Sequence, residues 1–452
     1  MHFLPHTKED IKIMMEAVSA ESESDIFKGI PEKLRRKASL DLEDGKTEWE
    51  VFEKLKTLAG KMAPSSENLI FAGAGSYFHN IPAVVPYLVS RSEFSTAYTP
   101  YQPEISQGTL QAMYEYQTLV ARLLGMDIAN ASMYDGASAL AEALLMSLRV
   151  KKKKKKVAVS KAINPLYLKV VETYFAPTDF EIESVPFNEK GQTDLSSLEN
   201  RDDLACIAVA SPNFFGVIED NEKIASLCKD NDSLFVSSFT EPFAFGLYKP
   251  AGLYGADIVC GEGQSMGLPQ SYGGPGLGMF AVNNKYVRSM PGRLCGQTVD
   301  KDGKRGFVLT LATREQHIRR EKATSNICSN QGLCATTSTI FMSCIGKRGI
   351  KEIAGLNHDH ASYLKKSLID SGFSEVFKGA SFFNEFVLKA PDNFFDIWEK
   401  LAANNIVAGL PLADFFPEFE NCWLFCVTEA YSKEKIDLFI DMIKKGGELN
   451  GK

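Results

Sequence analysis

Apolar residues in the middle of the chain come in short unbroken runs, not in a helical rhythm: Val157-Ala158-Val159, Cys206-Ile207-Ala208-Val209-Ala210, Leu234-Phe235-Val236, Ile258-Val259-Cys260 and Met279-Phe280-Ala281-Val282. Runs this short, without polar alternation, predict strands covered on both faces. The stretches 165–174 and 219–229 predict helices between them. Alternation of this kind gives an α/β layer with a mostly parallel sheet, which binds ligands at the carboxyl ends of its strands. Upstream, Leu110, Met113, Tyr114, Val120, Ala121 and Leu124 follow the i, i+3, i+4 pattern, and Gly125 stands where a helix C-cap falls. Residues 138–148 are apolar on nearly every side, which predicts an enclosed helix.

The two ends read differently. Ile11, Met14, Met15 and Val18 mark one amphipathic helix before a Ser/Glu-rich break at 19–24, and the first 65 residues are too polar for a core of their own. Beyond about residue 340 the pattern is helix, strand, helix, with strands at 382–388 and 422–427 and a final helix at 433–445. The expected organisation is an N-terminal helical arm (1–65), a large domain (66–335) and a smaller α+β domain (336–452).

Length and charge narrow the function classes. A chain of 452 residues can hold two or three domains, and 50 Lys+Arg against 57 Asp+Glu leave a net charge of −7. That balance excludes a general nucleic-acid binder, which needs a basic face to release counterions. No apolar run approaches the ~20 residues of a membrane span, and the N-terminus reads as neither a secretory nor a transit signal. Nine dispersed cysteines without a C-x-x-C pair point to a reducing, cytoplasmic location. The run Lys151 to Lys156 reads as a solvated loop beyond a helix end, where cations suit the dipole, in preference to an acidic-partner site.

Candidate chemistry is sparse. Tyr134-Asp135-Gly136-Ala137-Ser138 opens the enclosed helix, and the free N–H groups, hydroxyl and dipole there suit a phosphate; an ordinary N-cap looks the same. The glycine-rich stretch from Gly261 to Gly278 lacks the Gly-Lys-Ser/Thr ending of a P-loop and precedes a strand where a dinucleotide fingerprint follows one. A loop admitting a bulky cofactor and a structural crossover remain equal readings. The segment 71–82, glycines flanked by aromatics, is either a close approach to another surface or a tight turn. His358 and His360, two apart in a predicted helix, do not share a face, so no metal site is expected.

Longer matches carry more. On Thr99-Pro100-Tyr101-Gln102-Pro103-Glu104, Ala129-Asn130-Ala131-Ser132-Met133-Tyr134-Asp135-Gly136-Ala137-Ser138, Pro212-Asn213-Phe214-Phe215-Gly216, Gly263-Gln264-Ser265, Gly273-Gly274-Pro275 and Arg314-Glu315-Gln316-His317-Ile318-Arg319-Arg320, the chain resembles the P-protein family of the glycine cleavage system, glycine dehydrogenase (decarboxylating), in its first-subunit (alpha) type. The resemblance implies a type I pyridoxal-phosphate (PLP) transferase fold. It also implies glycine decarboxylation, with the aminomethyl group passed to the lipoyl arm of H protein. The lysine-bearing partner of this family has a His-Lys pair where this chain has Gln264-Ser265, and no lysine lies between Lys249 and Lys285. The implied chain is therefore half of an enzyme: a second subunit holds PLP covalently, this chain holds none covalently, and two copies of each form a heterotetramer with glycine and lipoylated H protein as further partners. Tyr101 and Gln102 (segment 98–104) and His79 (loop 76–80) are then candidates to reach the partner's active site. Gly136, Ala137 and Ser138 fall where such a fold holds cofactor phosphate, in a pocket that is vestigial if the partner holds the cofactor. Arg314 is a candidate for phosphate or carboxylate, with salt bridging by Arg314, His317, Arg319 and Arg320 as the plainer explanation. The competing expectations are a scaffold that docks H protein or stabilises the partner without chemistry, and a self-sufficient PLP enzyme using Lys249 or Lys285.

Overall fold

The computed structural model describes residues 6–38, 42–62, 68–327 and 329–447. The chain divides into two units, 1–63 and 64–452. The described residues of the first form four helices, Lys8–Ala17, Glu23–Ile26, Glu32–Lys37 and Glu48–Ala59, instead of the single helix expected. Thr7 with Asp10, and Thr47 with Glu50, form capping boxes that start the first and last. The Ser/Glu stretch read as a break supplies Ser22, which opens the second helix with Asp25 just beyond it. None of the four helices buries a residue within this unit.

The second unit is built on seven strands: β1 (Ile128–Ala129), β2 (Lys156–Ser160), β3 (Glu181–Val185), β4 (Leu204–Ala210), β5 (Leu234–Phe239), β6 (Ile258–Glu262) and β7 (Gly278–Val282). They lie in the order β1-β7-β6-β5-β4-β2-β3, and only β7 runs against its neighbours. Alternate residues of one strand enter different cores. Ile207, Val209, Phe235 and Val259 join Tyr116, Val120 and Leu124 of the helix Gln107–Leu124, while Cys206, Ala208, Val236 and Cys260 join Leu140 and Leu144 of Gly136–Val150 and Phe175 of Pro165–Phe175. Burial on both faces is why these strands carry no polar alternation.

A smaller α+β domain closes the chain. Ser374–Glu375, Glu385–Lys389, Cys422–Cys426 and Leu410–Pro411 form an antiparallel sheet covered by Phe394–Ala403 and Lys433–Lys444. The long helix Gly332–Ile369, kinked at Gly346, serves both parts: Cys334, Phe341 and Ala354 lie in a core of the large sheet, Ala361, Leu364 and Leu368 in that of the small one. Leu69–Ile70 pairs in parallel with Ile406–Val407, so the chain runs along the small domain before building the large one. The motif Pro212–Gly216 is a junction, with Phe214 and Phe215 packed among Phe377, Phe415 and Phe416.

Three lysines of the run are paired: Lys151 with Asp232, Lys155 with Asp179, Lys156 with Glu181. Among the described residues no helix is long and apolar enough to cross a membrane, and no group of three or more His, Cys, Asp and Glu could hold a metal.

Candidate functional site

The carboxyl ends of β5 and β6, the start of the helix Gly136–Val150 and the loop 73–80 converge on a buried polar cluster. Glu241 follows β5, Glu262 ends β6, and Ser265 stands three residues beyond. His79 is buried between two carboxylates: Nε2 lies 2.8 Å from Glu241 Oε2 and Nδ1 2.8 Å from Glu429 Oε2. Burial alone would push the imidazole pKa down, but the two carboxylates outweigh it and hold the ring at about 10. With a carboxylate at each nitrogen and the pKa held at about 10, His79 is protonated at neutral pH and donates from both. Glu429 is penalised by burial yet held below the usual carboxylate range by His79. Glu241 also accepts from Ser265 Oγ at 3.2 Å and from the Phe243 N–H at 3.1 Å.

Beside this triad, Glu385 accepts from the Ala74 N–H at 2.6 Å and from the Tyr77 hydroxyl at 2.7 Å, and burial pushes its pKa up to about 7. The close approach expected of loop 71–82 is therefore made within the chain: a Cβ on Gly73 would stand 2.4 Å from Glu385 Oε1.

The helix start is already occupied by a carboxyl group. Glu262 Oε2 accepts from the Gly136 N–H at 2.9 Å, and Oε1 accepts from Gly263, Gln264 and Leu277 at 3.1, 3.0 and 2.8 Å. Asp135 accepts from the Ser138 N–H at 2.7 Å, and the Ser138 hydroxyl turns back to the Asp135 carbonyl. Burial raises the Glu262 pKa while the N–H groups of Leu277, Gly136 and Gln264 pull it down.

The remaining candidates lie elsewhere. Tyr101, 78% exposed, and Gln102, also exposed, stand on a segment with Tyr98 and Ile105 uncovered beside them. Thr99 bonds to Arg293, and Gln107 bonds the Phe307 backbone through both ends of its amide, which fixes the base of this segment. Arg314 spends its guanidinium on the carbonyls of Met290 and Gly292, and burial lowers its pKa. His317 is exposed beside Glu315, and Arg319 bonds the Thr313 carbonyl. His358 and His360 each face a backbone carbonyl of the small domain, of Phe383 and Thr428.

The sequence pointed to His79 and to the helix start with Asp135, but not to Glu241, Glu385 or Glu429, and Glu262 stood only as a member of the glycine-rich stretch. The available signal was a Glu closing or following a fully buried strand that opens on an apolar run, at Glu241 and Glu262.

This sheet order, with a helix start and loops gathered at the strand ends and an antiparallel domain behind, is the fold of type I PLP enzymes. Glutamate decarboxylase of Lactobacillus brevis shares it at a TM-score of 0.67 and 15% identity, over 90% of this chain and 94% of that one. The chain belongs to the glycine cleavage system P-protein family, whose model matches residues 1–443. It is 53% identical to a protein of Desulfotalea psychrophila named "Probable glycine dehydrogenase (decarboxylating) subunit 1", over 98% of this chain and 99% of that one. It also matches a crystal structure of glycine decarboxylase (P-protein) of the glycine cleavage system, in inhibitor-bound form, at a TM-score of 0.91 and 39% identity, over 99% of this chain and all of the other.

The residues at the helix start do not fit the phosphate of PLP. The Gly136 N–H is taken by Glu262, and a Cβ on Gly136 would already stand 2.5 Å from the Tyr167 hydroxyl and 2.7 Å from Glu262 N. The Ser265 hydroxyl is committed to Glu241.

Proposed function

We propose that this chain is the cofactor-free half of a glycine decarboxylase. A second, lysine-bearing subunit holds PLP, which supplies the electron sink when CO2 leaves glycine. The complex passes the aminomethyl group to the lipoyl arm of H protein, and the assembly contains two copies of each subunit in the cytoplasm. Family membership supports the reaction class, and subunit 1 in the name of a relative 53% identical supports the division. The observation that carries the half-enzyme reading is the missing amine. Lys285 pairs with Asp257 at 3.2 Å and Lys249 lies over Tyr254, both at residues preceding β6, whereas a cofactor amine belongs beyond the strand's carboxyl end. The eight described cysteines are free thiols, which supports a reducing compartment.

On this reading the exposed segment 98–105 supplies groups to the partner's site. Tyr101 and Gln102 are uncovered and aimed away from their own core, while the base of the segment is fixed through Thr99 and Gln107. His79, committed to two carboxylates, orders loop 76–80 from beneath.

Glycine–bicarbonate exchange tests the proposal. It is expected only when this chain, a lysine-bearing second subunit and lipoylated H protein are mixed. Exchange with this chain and H protein alone, or a borohydride-fixed adduct of PLP on one of its own lysines, would sink it.

A further inference from the structure

We infer that the Glu262 side chain is a built-in replacement for the cofactor's phosphate, so that this chain's own cofactor-equivalent pocket is a closed structural element and takes no phosphorylated ligand. The inference concerns the chain's own pocket and goes beyond the division of labour proposed above.

A phosphate monoester at a helix start is recognised by converging backbone N–H groups and the positive end of the dipole. Glu262 takes that recognition for itself. Its two oxygens accept four N–H groups from three separate segments: Gly136 at the helix start, Gly263 and Gln264 in the turn after β6, and Leu277 just before β7. Every partner is a donor, the pattern suited to an anion. The carboxylate thus pins the glycine-rich loop to the helix.

Space and charge exclude a second anion. A Cβ on Gly276 would stand 2.8 Å from Asp135 Cβ and 3.2 Å from Glu262 Oε2, so the cradle has no room for a tetrahedral group. An incoming phosphate would also face the carboxylates of Asp135 and Glu262 together, like charges at close range. The other end of the pocket is filled as well. Ser265 is bonded to Glu241, and Glu241 to the His79 imidazolium. Residues 262–265 join the two ends, and their bonds are all internal.

The test uses the full-length chain. Addition of millimolar inorganic phosphate or PLP is expected to leave the thermal midpoint of the wild type unchanged relative to chloride at equal ionic strength. Glu262→Ala empties the cradle: its midpoint is expected to fall and to be partly restored by inorganic phosphate or formate, but not by chloride. Glu262→Gln still fills the space and is expected to fall without phosphate rescue. Should the alanine variant fail to fold, amide hydrogen exchange of the wild type and Glu262→Gln decides. Exchange at Gly263 and Leu277 is expected to be about tenfold faster in Glu262→Gln, the factor carried by loss of a charge-assisted hydrogen bond, and to be unaffected by phosphate in the wild type. Phosphate or PLP that raises the wild-type midpoint, or slows exchange at those amides, would overturn the inference. That result would leave the half-enzyme reading standing, because reversible binding supplies no Schiff-base lysine. Conversely, lack of exchange activity in the reconstituted complex would leave the self-filled cradle untouched.

Discussion

His79 and its two carboxylates make stability depend on pH with a definite sign. The ring titrates near 6.5 when unfolded and at about 10 in the fold, so the folded state binds the extra proton between those values. The stabilisation is complete below about pH 6.5 and is lost as pH rises through 10. His79→Ala is expected to cost about 3–5 kcal/mol near neutrality, since it strands two buried carboxylates. In urea unfolding, its gap from the wild type should shrink between pH 7 and 10, and a constant gap would contradict the imidazolium.

Glu219 behaves as a buried acid with the same sign in a lower window. Burial pushes it up to about 7 against hydrogen bonds from Asn213 and Thr193. Its contribution is present below about 4.5 and disappears as pH rises through 7. Glu219→Gln, which cannot ionise, should therefore gain on the wild type by roughly 3 kcal/mol between pH 4.5 and 8, since each tenfold difference in proton affinity between the folded and unfolded chain is worth about 1.4 kcal/mol.

Among the elements, those with strong periodicity were legible in the sequence. The five apolar runs are β2 and β4 to β7, and the helix Gln107–Leu124 ends at Gly125 in the left-handed conformation (φ 66°). The hairpin Leu294–Val299 with Arg305–Thr310 was not foreseen, because Gly296, Gln297 and Thr298 offer no buried face and its outer end is exposed. The carboxylates of the site were illegible for a related reason. A single Glu after a strand is ordinarily a solvated turn residue, and only the tertiary arrival of Gly136 and Leu277 makes Glu262 an anion in a cradle. His79 was visible as a polar residue in a glycine loop, but Glu429, 350 positions away, was not.

Gly216 tests the junction these elements make. It has φ 79°, and a Cβ there would stand 2.0 Å from the Glu385 carbonyl oxygen, so Gly216→Ala is expected to destabilise by more than about 3 kcal/mol. Gly355 lies inside the helix Gly332–Ile369 with nothing within 4 Å of such a Cβ, and Gly355→Ala should stabilise by about 0.5–1 kcal/mol. Denaturant midpoints read both.

At the scale of the whole molecule, the second unit buries its charged pocket and leaves its aromatic segment uncovered. Tyr101→Ala should leave the thermal midpoint of the isolated chain unmoved, because the ring is 78% exposed. In the reconstituted complex it should lower glycine–bicarbonate exchange at least about tenfold, as truncating an aromatic anchor does at an interface. Unchanged exchange with intact assembly would favour a scaffold role.

The parallel pairing of Leu69–Ile70 with Ile406–Val407 sets a timetable for biosynthesis. His79 leaves the ribosome 350 residues ahead of Glu429, an interval of roughly 20–70 s at 5–20 residues per second. Throughout that time the loop carrying His79 has no small domain to lie along, while the strands of the large sheet, complete at Val282, find their neighbours well before Glu429 emerges. The His79 cluster is thus completed only with the small domain, and a polypeptide released before Glu429 would carry a finished sheet around an open, acidic mouth.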